Sequence, residues 1–75
     1  MKKYDYSKLL GLIRERGLTQ DEFAAKIGIC PSSLCQKIHN RRDFRQEEIV
    51  RSCVVLGISA ADMHKYFFCG KTLEN

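Results

Sequence analysis

Between Lys37 and Arg45 the chain carries four basic side chains, Lys37, Arg41, Arg42 and Arg45, against one acid, Asp43. His39 and Asn40 lie among them. Such a cluster can neutralise phosphates and release counterions without reading sequence. On charge alone it is equally a solvated surface. Just before it, Pro31, Ser32, Ser33, Gln36 and Lys37 bring short or hydrogen-bonding side chains. Gln36 can pair bidentately with adenine, and Ser32 and Ser33 can contact bases or phosphates. Gln20 opens an earlier helical pattern, where a helix N-terminus suits a phosphate. The chemistry on offer is recognition of a polyanion, double-stranded DNA above all.

Other chemistries find less support. Cys30, Cys35, Cys53 and Cys69 contain no C-x-x-C pair, so no zinc site is indicated. No secretion signal accompanies them, which argues against a disulfide framework. They read as reduced thiols, with Cys35 expected at the surface as a passive one. His39 and His64 have no Cys or Asp partner at catalytic spacing, and no Ser, His or acid sits in a glycine-loop motif. The sequence therefore points away from an enzyme, a metal, a cofactor or a small-molecule ligand.

Seventy-five residues allow one domain, expected over 1–75, with little core to stabilise it. Hydrophobic residues are 44% and charged ones 29%, an ordinary globular balance. The net charge of +4 permits a polyanion partner without requiring one. No segment reaches the roughly 18–20 apolar residues of a membrane span, and MKKYDYSKLL has no signal-length apolar run. A cytoplasmic location without membrane contact is expected.

Helical periodicity must position the polar residues. Tyr6, Leu9, Leu10 and Ile13 share one helical face, with Asp5 as N-cap and Gly17 as stop. Thr19 to Glu22 reads as a capping box, Phe23, Ala24 and Ile27 as an inner face, and Gly28 as the end. Pro31 suits the first position of a third helix, in which Leu34 and Ile38 point inward and Asn40 marks the end. Phe44 anchors the next connection. Ile49, Val50, Cys53, Val54 and Leu56 form the apolar face of a fourth helix closed by Gly57. Ser59 caps a fifth, with Met63, Tyr66 and Phe67 inward. The fold class is all-α, five short helices, with helices two and three forming a helix-turn-helix over about 19–40. Residues 69–75 are expected to be a flexible tail.

On these residues the chain resembles the lambda-repressor and Cro superfamily of helix-turn-helix regulators, also called XRE-type. It is more similar still to small phage and prophage regulators of Gram-positive bacteria. The likeness rests on DYSKLLGLI, on SSLCQKIHNRRDF followed by QEEI, and on YFF near the end, and covers about Tyr4 to Phe68. The resemblance implies a lambda-repressor-like fold in which Gln20 contacts a phosphate. It implies that Pro31, Ser32 and Gln36 face bases, and that the loop with Asn40, Arg41 and Arg42 grips the backbone. Two positions depart from the pattern. Pro31 replaces a side-chain donor, and Lys37 stands where many relatives keep an apolar residue. Ile38 is expected to take over that packing and turn Lys37 toward DNA or solvent.

The expected function is a sequence-specific transcriptional regulator, Cro-like or repressor-like, in which the third helix enters the major groove. Arg45 and His39 join the expected phosphate contacts. A homodimer on a two-fold operator is expected, with Tyr66, Phe67 and Phe68 as a candidate dimer patch. The alternative is a protein-interaction module of antitoxin type, in which DNA binding is secondary.

Overall fold

The capping box at Thr19 forms as its residue types require. The Glu22 amide donates to the Thr19 hydroxyl at 3.0 Å, and the Thr19 amide donates to the Glu22 carboxylate at 2.9 Å. A computed structural model of the chain describes residues 4–68. The described residues form five helices and no strand: α1 Ser7–Glu15, α2 Gln20–Ile27, α3 Pro31–Ile38, α4 Gln46–Leu56 and α5 Met63–Phe67. Cys69 and the expected tail lie outside the described residues. No described helix is long and apolar enough to cross a membrane.

Boundaries follow local chemistry. Gly28 ends α2 at φ +84°, in the left-handed region where a Cβ is costly. The carbonyl of Ile27 just before it accepts from Arg51 Nη1 at 3.3 Å, so α4 caps α2. Arg16 Nε donates to the Leu56 carbonyl at 2.8 Å, and α1 caps α4 in the same way. Pro31 occupies the first turn of α3, as expected. Two boundaries differ from expectation. Asp5 lies one residue before the cap position, where its carboxylate accepts from the Ser7 amide at 2.9 Å. Ser59 does not cap α5, which begins only at Met63 after a turn closed by the Asp62 amide on the Ser59 carbonyl.

One core joins all five helices. Leu9, Leu12 and Ile13 come from α1, Phe23, Ala24 and Ile27 from α2, Leu34 from α3, Ile49 and Leu56 from α4, and Phe67 from α5. Tyr6 and Ile58 complete it from the connections. Phe44 locks the α3–α4 loop onto this core, with edge-on contacts to Tyr6 at 5.3 Å and Phe67 at 5.2 Å.

The fourth helix departs from its expected face. Val50 and Val54 are 59% and 78% exposed. The inward face is instead Glu48, Ile49, Ser52 and Leu56. Ser52 is tolerated inside because its hydroxyl donates to the Glu48 carbonyl at 2.7 Å, which leaves no buried donor unmet. Glu48 is tolerated because it meets a cation, as described below.

Candidate nucleic-acid or protein interface

The α2–α3 pair is joined by the three residues Gly28–Cys30, and Ala24 is fully buried where the small side chain was expected. This connection fixes which side of α3 faces outward. Pro31, Ser32, Cys35 and Gln36 are exposed along it, and Ser33 is half-buried. Gln20 is exposed at the start of α2, and Arg41, Arg42 and Arg45 are exposed beyond α3. Expected base-facing residues Pro31, Ser32 and Gln36 thus lie on the accessible surface, as do the loop arginines.

Lys37 does not belong to it. Its side chain is buried, and Nζ lies 2.9 Å from Glu48 Oε1 and donates to the Asp43 carbonyl at 3.2 Å. The expectation that Ile38 would displace Lys37 outward is corrected by this pair, which takes the ammonium into the crevice between α3 and α4. Glu48 Oε1 also accepts from the Arg45 amide at 2.9 Å, so one carboxylate oxygen ties α3, the loop and the start of α4. Burial pushes the Glu48 carboxyl up, but the Arg45 amide and the Lys37 ammonium outweigh it and hold it below its usual value.

Asn40 also leaves the proposed contact set. It sits at φ +64°, and its side-chain amide is committed on both atoms to Tyr4. Oδ1 accepts from the Tyr4 amide and Nδ2 donates to the Tyr4 carbonyl, each at 2.9 Å. It clamps the N-terminal segment to the loop. His39 is exposed, with Nδ1 2.8 Å from the Cys35 carbonyl, leaving Nε2 as its outward-facing nitrogen.

The start of α3 holds a group that sequence reasoning missed. Cys30 is its N-cap residue, with Sγ 3.4 Å from Ser32 Oγ and 3.3 Å from Ser33 Oγ. Hydroxyl donation from Ser32 and then Ser33 lowers its thiol to about 7. The signal was present as Cys-Pro-Ser-Ser, a thiol one residue before a proline-opened helix, where amides and hydroxyls converge. Cys35 is exposed as expected.

The aromatic patch is also revised. Phe67 is 1% exposed and so presents no dimer surface, while Tyr66 packs half-buried against the core. Phe68, 41% exposed, is the member left outside.

With this geometry in hand, comparison with solved structures finds the solution structure of the modulator of repression (MOR) of the temperate bacteriophage TP901-1 from Lactococcus lactis. The two chains share 37% sequence identity at a TM-score of 0.74, over 87% of this chain and 88% of that one. Comparison with curated proteins finds no match. The family described as "Protein of unknown function (DUF739)" matches residues 2–70, and the chain belongs to that family.

Proposed function

We propose that this protein is a regulator in a phage-type genetic switch that modulates repression by binding a repressor protein, with DNA contact secondary. The likeness to a phage modulator of repression, extending over most of both chains, carries the reading. The α3 surface supports it. Pro31 offers no side-chain donor, Lys37 is buried against Glu48 and Asn40 is taken by Tyr4. Ser32 and Gln36 are the hydrogen-bonding residues left exposed along α3 among those expected to read bases. That is a thin set for base discrimination, since each good bidentate pair supplies only about 1–3 kcal/mol.

Direct operator binding is the second reading, favoured by one observation. Arg41, Arg42 and Arg45 are all exposed just beyond α3, where phosphates would flank a helix in the major groove. Anisotropy titrations of the pure protein on a random duplex pool, followed by selection, separate the two readings. The proposed function expects weak binding that falls steeply with salt and no enriched sequence. A palindromic winner bound at least about a thousandfold tighter than random DNA would replace it with the operator reading.

A further inference from the structure

Val50 and Val54 lie one helical turn apart on α4 and form an exposed ridge. Together with Phe68 they are the large hydrophobic side chains left exposed among the described residues. Beside the ridge, between α4 and α5, run two adjoining grooves. One, of about 270 Å³, is lined by Gln46, Ile49, Val50, Met63 and Phe68. The other, of about 380 Å³, shares Val50 and Met63 with it and continues past Val54 to Ile58 and Ala60. A contiguous apolar strip of this kind marks an interaction surface.

Two features choose the occupant. The strip holds a ridge and a furrow side by side, which is what a two-fold contact between identical faces requires, because each copy must supply both halves of the fit. No charged side chain lines either groove, although the chain carries a net charge of +4. Two like-charged copies meet at least cost where neither presents charge. An acidic protein partner would be met by cations along the strip, and there are none among its lining residues. Met63 at the centre adds an unbranched side chain able to fill an imperfect fit.

We propose that this α4–α5 strip is the contact surface of a homodimer, with the Val50–Val54 ridge of each copy seated in the partner's furrow beside Met63. The strip shares no residue with the exposed side of α3, so the dimer leaves that side of both copies free. The inference stands apart from the repressor-binding reading, and either can fail without the other.

Sedimentation equilibrium on the full chain tests it, from low micromolar to near-millimolar concentration. The expected result is a rise toward twice the monomer mass, with a dissociation constant in the weak, roughly micromolar range of small interfaces. Val54→Asp is expected to weaken association at least about a hundredfold. At dilutions where the parent is itself monomeric, its helical circular dichroism and thermal midpoint should stay close to the parent's, because Val54 is 78% exposed. Val50→Ser is a second variant expected to act in the same direction without adding charge. Amide shifts that move with concentration should map to Val50, Val54 and Met63. A monomer at every concentration would overturn the proposal, as would a dimer that both variants leave intact. So would a strip that stays exposed between copies and is protected only when a repressor is added.

Discussion

At Lys37 a residue expected to face outward turns inward, and the cause lies eleven positions away. Nothing local in the sequence links Lys37 to Glu48; only the folded approach of α3 and α4 does. The pair is buried, 2.9 Å long, and closed by the Arg45 amide and the Asp43 carbonyl. Removing one partner strands the other. Lys37→Met is expected to destabilise the protein by about 3–5 kcal/mol in urea unfolding, while the paired change Lys37→Met with Glu48→Leu costs far less. The Glu48 carboxyl is lowered in the fold relative to its ordinary 4.5. Its contribution is therefore complete above the ordinary value and is lost as pH falls through the lower folded one. Acid titration of stability should show a component below pH 4.5 in the parent that Glu48→Gln lacks.

Cys30 carries a second prediction at the residue scale. Hydroxyls of Ser32 and Ser33 favour its thiolate and bring it to about 7. Alkylation followed by mass spectrometry should label Cys30 half-maximally near that pH, and Ser32→Ala should move the midpoint upward. Cys53, whose thiol burial pushes up, should react last of the described cysteines. Equal rates at Cys30 and Cys53 across pH would contradict the hydroxyl donation.

At the scale of elements, much of the fold was legible because its signals are local. The capping box at Thr19, the proline at the start of α3, and glycines at positions 28 and 57 need no tertiary knowledge. So were Leu9 and Ile13 of α1, Phe23, Ala24 and Ile27 of α2 and Leu34 of α3, whereas buried Leu12 and Lys37 were not. In α4 two stripes compete. Ile49, Ser52 and Leu56 face inward and Val50 and Val54 outward, and hydropathy alone prefers valine to serine. Burial of Ser52 depends on a hydrogen bond to the carbonyl four residues earlier, which composition does not reveal. The α5 start was misplaced for a related reason. A serine followed three residues later by an acid resembles a cap, yet here it makes a turn.

Gly28 offers the element-scale test. It sits at φ +84°, and a Cβ there would lie 3.0 Å from Arg51 Nη1, the group that caps α2. Gly28→Ala combines left-handed strain with displacement of that cap. A loss of about 1–2 kcal/mol is expected from the backbone alone. Arg51→Ala in the Gly28→Ala background should cost less than in the parent, because the cap is already disturbed. Full additivity of the two changes in denaturation would argue that Arg51 and Gly28 act independently.

For the whole molecule, the likeness to a phage modulator of repression supports the proposed regulatory role. The interface was half legible. The exposed arginines and Gln36 stand where the sequence put them, because residues in a loop or on an outer helical face need only periodicity to be placed. Lys37, Asn40 and Phe67 were lost to contacts made across the fold. What remains exposed of the expected contact set includes Ser32 and Gln36 on α3 and the arginines Arg41, Arg42 and Arg45 beyond it. Arg42→Ala is accordingly expected to lower DNA binding about equally on all sequences and to reduce the salt slope by roughly one. A loss confined to one duplex sequence would show that Arg42 takes part in specific recognition.

The function proposed for this protein is action on a repressor, with DNA contact secondary. The direct measurement is the affinity of the repressor from the same genome for its operator, by fluorescence anisotropy, as this protein is added. A change of at least about tenfold in the repressor's apparent affinity is expected. No specific operator complex is expected with this protein alone at the same concentrations. An unmoved repressor curve, with this protein binding the operator specifically by itself, would contradict it.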